Sequence, residues 1–342
     1  MPPTIKDIAN RVGKSIGTVS RALHDYDDIS PETKAQIRQV AAEMGYRPNT
    51  QALRLQKRRS DTLGLVLPTF GPRFSDPFFS EFIAGVGNKA AELQYDLLVS
   101  TRPPGEQELD AYRLSVEAHR VDGFILVRTR RLDPRVAYLR QAGVPFVAFG
   151  RVETENNFPY VDEDGDFGMA LIVDHLTQLG HRRLGFITGP ENLNFNNERL
   201  AGARRKINEL ELPLESQIML NGDLTQRGGY QQAQALLIGE TPPTAIVAFN
   251  DLMALGALSA AQERGLEVGR DISITGFDDI PMAEHSHPPL TTLHQPIYHI
   301  GAQVCAMLIQ IVQGNEPKTR QILLKPELIV RRSTGPAPSP PR

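Results

Sequence analysis

The chain is poor in the residues that build common covalent and catalytic devices. Among its 342 residues is one cysteine, Cys305, which excludes an internal disulfide framework and any CxxC metal or redox motif. Such usage fits a reducing compartment. No stretch approaches the roughly 20 apolar residues of a membrane span, and no apolar signal region follows Met1-Pro2-Pro3-Thr4-Ile5-Lys6. The expectation is a cytoplasmic protein without a membrane partner. No GxGxxG motif occurs. Gly13-Lys14-Ser15 imitates the end of a phosphate loop, but a Walker A motif needs glycine where Ile8 stands. Glu284-His285-Ser286-His287 has no second ligand pair at helical spacing. Asp162-Glu163-Asp164-Gly165-Asp166 lacks the glutamate at the twelfth position of a calcium loop. The expectation is therefore no enzyme, no metal site and no cofactor.

What is present is an uneven distribution of charge. The net charge of −3 conceals a head, residues 1 to 60, with eleven Lys/Arg against six Asp/Glu, a balance of +5. The remaining 282 residues carry −8. A basic head on an acidic body points to contact with a polyanion, because Lys/Arg clusters neutralise phosphates and release counterions; solvated surface charge is the other reading.

Three short helical patterns fill the head. Thr4 can cap a helix with Asp7 at its third position, and Ile5, Ile8, Ala9 and Val12 share one face before Gly13 stops it. Ser15 can cap a second helix from Ile16 to about Leu23, with Val19, Ala22 and Leu23 inward and Thr18, Ser20 and Arg21 outward. Ser30-Pro31 opens a third, with Ile37, Val40, Ala41 and Met44 on its apolar face and Gly45 at the left-handed stop. Two helices joined by Gly13-Lys14-Ser15 make the pattern of a helix-turn-helix. A helical cap or dimerisation module gives the same pattern.

The run from Thr4-Ile5-Lys6-Asp7-Ile8-Ala9 to Thr18-Val19-Ser20-Arg21-Ala22-Leu23 resembles the head of LacI/GalR-type transcriptional regulators, as do Ile29-Ser30-Pro31-Glu32-Thr33 and Gly45-Tyr46-Arg47-Pro48-Asn49. The resemblance runs to about Ser333. It implies that Thr4, Ser15, Ile16, Gly17, Thr18, Ser20 and Arg21 lie on operator DNA, with Arg21 bidentate on a guanine. In this family the segment from Asn49 to Lys57, too short to hold a helix alone, folds on DNA. Asn49, Ala52 and Leu55 are the matching hinge positions, and Leu55 would wedge into the minor groove of a near-palindrome at a central CG step. Leu55 as an interdomain core residue is the alternative.

From Leu63 the chain alternates short apolar strands with amphipathic helices. Strands are expected at 63–67, 96–100, 123–127 and 145–149, then, after Asp164, at 184–188, 217–221, 245–249 and 272–277. Such alternation predicts two parallel sheets with crossover helices. The fold class expected is therefore a small all-α helix-turn-helix head plus an α/β two-lobed core like that of periplasmic binding proteins. Its domains are a DNA-binding head (1–48), hinge and linker (49–61), and effector and dimerisation core (62–332). The resemblance divides the core into an N-lobe of about 62–163 and 292–321 and a C-lobe of about 164–291 and 322–332. The Pro-rich segment 333–342 is expected to be disordered.

Ligands of open α/β sheets sit beyond the carboxyl ends of strands. Asp76 and Phe78 follow the first strand, where an aromatic can stack on a sugar face; at least one of Phe78 and Phe79 is expected to be plain core. The resemblance adds Arg199, Asn250 and Asp278 as effector-binding residues, with a salt-bridged surface role as the alternative for Arg199 and capping or turn roles for Asp251 and Asp279. One arginine among Asp and Asn side chains suits a neutral polyhydroxylated ligand, so a small sugar is expected. Leu193 and Phe195 stand where purine-binding members carry Arg and Thr. The function implied is a homodimeric repressor of double-stranded operator DNA, controlled by that sugar. A purine corepressor, or a sugar-binding protein without DNA regulation, is the alternative.

Overall fold

The computed structural model describes residues 3–46, 59–69, 76–153, 157–213 and 217–338, in two compact units divided after Ser60. The first unit is the head. Its helices, α1 (Ile5–Val12), α2 (Ile16–Leu23) and α3 (Pro31–Glu43), bury Ile8, Ala9, Val19, Ala22, Ile37 and Ala41 against one another. Each begins where a side chain satisfies an orphan amide. Thr4 and Asp7 form a reciprocal capping box, Ser15 accepts from Thr18 N, and Ser30 accepts from Thr33 N ahead of Pro31. Gly13 and Gly45 take the left-handed conformation at the stops of α1 and α3.

The second unit contains two sheets. Six parallel strands form the first: β1 (Thr62–Pro68), β2 (Asp96–Arg102), β3 (Gly123–Leu126), β4 (Phe146–Phe149), β5 (Tyr160–Glu163) and β11 (Gln321–Leu324), in the order β11-β5-β4-β3-β1-β2. Its core unites Leu63, Leu65 and Val147 with Phe79 and Phe82 of α4 (Pro77–Glu92) and Val304 and Leu308 of α12 (Ile297–Val312). Those helices cross closely, since a Cβ on Gly85 would stand 2.1 Å from the Tyr298 carbonyl oxygen.

The second sheet has four parallel strands, β6 (Leu184–Thr188), β7 (Ile218–Asn221), β8 (Ala245–Ala248) and β9 (Ser273–Thr275), in the order β7-β6-β8-β9. Helices α7 (Gly165–Gln178), α8 (Asn194–Glu209), α9 (Gln226–Leu236) and α10 (Asp251–Glu263) contribute to its core, which includes Phe186, Val247, Met253 and Phe277. A short antiparallel pair, β10 (Thr292–His294) with β12 (Glu327–Ile329), completes the described strands.

Three features depart from the expectations. Tyr160–Glu163 is a strand of the first sheet that the apolar pattern did not mark, because its residues Asp162 and Glu163 are charged although buried. The last passage between lobes falls after Leu324, not near 322, since β11 pairs with β5 from Gln321↔Tyr160 through Leu324↔Glu163. The tail is not disordered over 333–338. Ser333 is fully buried, with its hydroxyl donating to the Ile274 carbonyl at 2.6 Å and accepting from Thr291 N at 2.7 Å, and Ala337 N donates to the Leu179 carbonyl at 2.8 Å. These backbone and hydroxyl bonds hold the tail on the second lobe.

Candidate functional sites: an interlobe cleft and a helix face

The carboxyl ends of the strands of both sheets border one half-open cleft of about 590 Å³, part of it open solvent. On the first lobe Asp76 caps α4, accepting from Phe78 N at 3.2 Å, and its other oxygen accepts from Arg128 Nη2 at 2.9 Å. Phe78 stacks on Phe149 with centroids 5.7 Å apart, and Arg128 lies 4.9 Å over the Phe79 ring. Gly150, just after β4, has φ +117°, and a Cβ there would meet Thr129 Oγ1 at 2.4 Å, so the backbone turns into the cleft only as glycine.

The loop after β3, which carries Arg128 and Thr129, is held from behind. Arg135 at the start of α6 (Pro134–Gln141) is wholly buried and donates to the carbonyls of Val127 and Arg128, each at 3.1 Å. Its remaining hydrogens meet Asp133 at 2.6 Å and Glu108 at 2.8 Å.

On the second lobe, Arg199 of α8 is 4% exposed. Its guanidinium donates to the Glu163 carboxylate and the Phe249 carbonyl, lies 3.8 Å from Asp278 Oδ1, and sits 3.4 Å over the Phe277 ring. Asp278 also accepts from Gln295 Nε2 at 2.7 Å. Asn250 caps α10, accepting from Met253 N at 3.0 Å while its amide donates to the Leu224 carbonyl at 3.2 Å. Because Glu163 ends β5 of the first sheet, the Arg199–Glu163 pair spans the lobes. Arg151 makes a second tie, to Asp162 at 2.8 Å on its own lobe and to Glu198 at 2.5 Å on the other.

Burial dominates the electrostatics of this cleft. It pushes the Glu163 acid up to about 7 against the pull of Arg199, and Glu198 up to about 8 with help from nearby Asp162. Asp278 is driven well above the usual carboxylate range, again by burial, with Arg199 opposing. Three buried polar atoms here have no hydrogen-bond partner among the described residues: Glu163 Oε2, Gln295 Oε1 and Arg199 Nε. Two acceptors, one donor and aromatic faces suit a molecule rich in hydroxyl groups.

In the head, Ile16, Gly17, Ser20 and Arg21 turn away from the core-facing Val19 and Ala22. Ile16 is 49% exposed. Ser15 and Thr18 share a hydrogen bond of 2.9 Å within the cap. The Arg21 guanidinium rests on Asp28 at 2.5 Å, both side chains about half exposed. Lys6, Arg11 and Lys14 are exposed on the same small unit.

Residues 4–49 match the model of bacterial regulatory proteins of the lacI family, and residues 173–334 match a periplasmic binding protein-like domain. The regulator AglR of Rhizobium meliloti is 36% identical over 99% of this chain and 96% of its own. The chain belongs to the LacI family. The repressor CytR of Escherichia coli K12 is 33% identical over 98% of this chain and 97% of its own. Among solved structures, the lac repressor dimer bound to operator and an anti-inducer superposes with a TM-score of 0.85 at 29% identity, covering 98% of this chain and all of that one. The transcriptional regulator CelR in complex with cellobiose gives a TM-score of 0.75 at 30% identity over 97% and 99% of the two chains.

A LacI-family chain is a helix-turn-helix transcriptional regulator, not an enzyme, with the two-lobed core described above. All five residues expected at its effector site, Asp76, Phe78, Arg199, Asn250 and Asp278, line the one cleft. Asn250, rather than Asp251, is the helix cap. Asp251 is fully buried and instead accepts from Ile280 N at 2.9 Å and Thr292 Oγ1 at 2.5 Å. Asp279 holds a turn at φ +58°, paired with Arg331 at 2.8 Å. The surface alternative for Arg199 is excluded by its burial. Sequence reasoning missed Arg128, Thr129, Gly150, Asp162, Glu163 and Gln295 in the cleft. All but Gln295 sit at or just beyond strand ends, the signal that located Asp278. Asn49, Ala52 and Leu55 lie outside the described residues, and among those described no helix is long and apolar enough to cross a membrane.

Proposed function

We propose that this regulator is a homodimeric, cytoplasmic repressor whose hold on a near-palindromic operator is set by a small sugar in the interlobe cleft. The carrying observation is the convergence of Asp76 and Phe78 from one lobe with Arg199, Asn250 and Asp278 from the other on a single cleft. Ligand there touches both lobes at once, so it favours one lobe arrangement over another to the extent that it binds them differently. CelR with cellobiose supports a sugar, and the lac repressor dimer on operator supports paired heads. In the head, Arg21 reads a guanine while Ile16 and Gly17 face neighbouring base edges and Thr4, Ser15, Thr18 and Ser20 orient the helix on phosphates. Asn49, Ala52 and Leu55 form the hinge, with Leu55 wedged at a central CG step.

A thermal-shift screen of sugars and purines tests the effector reading, because a ligand that binds the folded state alone raises the melting temperature. A sugar should stabilise the chain and change its operator affinity. Stabilisation by purines alone refutes the sugar.

A further inference from the structure

Resting on the reading of the cleft as a sugar site, we propose that its effector carries no acid group, and that Glu163 is the residue that turns away phosphorylated and uronic forms. The charged side chains lining the cleft are Asp76, Asp162, Glu163 and Asp278 against Arg128 and Arg199, two more acids than bases. Both guanidinium groups are already faced by carboxylates. Arg128 meets Asp76 at 2.9 Å, and Arg199 meets Glu163 with Asp278 at 3.8 Å. A phosphate or carboxylate entering there brings negative charge among buried acids whose own ionisation burial already opposes, and must take a guanidinium from a carboxylate that is then left alone.

The unpartnered atoms give an independent argument. Glu163 is 4% and Gln295 2% exposed, and each presents one acceptor with nothing to accept from, Glu163 Oε2 and Gln295 Oε1. Hydroxyl groups supply the missing hydrogens. Ionised phosphate and carboxylate oxygens have none to give. Arg199 Nε is a single open donor, enough for one hydroxyl oxygen but short of the two or three donors that cradle an acid group.

The test measures calorimetric and thermal-shift binding to the full chain. The probes are glucose, galactose, ribose and cellobiose, then glucuronate, galacturonate, glucose 6-phosphate and ribose 5-phosphate, with glucuronamide and galacturonamide as uncharged matches of the uronates in size. At least one neutral sugar should bind, its amide form within about tenfold and its acid forms at least about 100-fold more weakly. An acid form that binds as tightly as its parent overturns this proposal and leaves the sugar reading intact. Binding by none of these sugars removes both. Glu163→Gln should shrink the acid penalty at least tenfold. Asp76→Asn, on the same lobe but paired to the other guanidinium, should shrink it as well and serves if the first variant does not fold. An unchanged penalty in a folded Glu163→Gln chain removes Glu163 from the role.

Discussion

The head and the cleft use the same charged residue types under opposite physical conditions. In the head the contacts of Thr4 with Asp7, Ser15 with Thr18 and Arg21 with Asp28 are exposed and local, none joining residues more than seven apart. In the cleft they are buried and distant in sequence, as Glu163 with Arg199 or Arg128 with Asp76. Exposed pairs are screened and contribute little, whereas a buried charge that loses its partner is costly. The head is thus built to exchange its contacts for those of another polyanion, and the cleft to respond when something enters it.

This contrast is broken or sharpened by substitution. The largest effect belongs to Arg135→Ala, which leaves Asp133 buried without its paired guanidinium and Glu108 with Arg130 alone, and should cost about 3–5 kcal/mol in a denaturant titration. Arg38→Ala in the head, which removes an exposed pair with Asp25 at 2.7 Å, should cost far less, because water screens that pair. Equal losses would erase the distinction. Arg199→Ala should weaken sugar binding by about 2–5 kcal/mol, read by calorimetry, and leave operator affinity unresponsive to the sugar; an unaltered effector midpoint removes Arg199 from the site. Arg21→Ala should lose about 1–3 kcal/mol of discrimination at one base pair, seen in competition between operator and a single-base variant, with little change in folding stability. Ser15→Ala, which deletes a cap, should destabilise the head by about 1 kcal/mol, measured by its own melting transition.

A smaller effect is pH dependence. Glu163 and Glu198 hold protons up to about 7 and about 8 when folded, above the ordinary carboxylate range. The folded core then binds more protons than the unfolded chain, so the stability these groups contribute is full below the ordinary value of 4.5 and is lost as pH rises from there through about 7 and about 8. Its melting temperature should fall by about 2–4 °C for each kcal/mol lost, and Glu163→Gln should flatten the decline.

How much of this was legible in the sequence follows from the same contrast. Helix caps at a spacing of three residues and strands of Val, Ile and Leu are local signals, so the three head helices and eight strands of the core could be read directly. Asp76, Arg199, Asn250 and Asp278 were found through strand ends and family resemblance. Glu163 was not, because its acidic run falls where one lobe is expected to pass into the other, and only the fold brings Arg199 to it across 36 positions. Composition misled at the tail, where Ser333 docks through hydrogen bonds that a Pro-rich stretch does not announce.

The central claim is that a sugar in the cleft controls a sequence-reading head. The most direct measurement is selection of operators by the full chain from a random duplex library, followed by fluorescence anisotropy on the winning duplex with and without the stabilising sugar. We expect a near-palindrome, affinity that falls steeply with salt, and a change of at least tenfold on adding the sugar. Sequence-indifferent binding, or operator affinity untouched by a sugar that demonstrably occupies the cleft, would contradict the account.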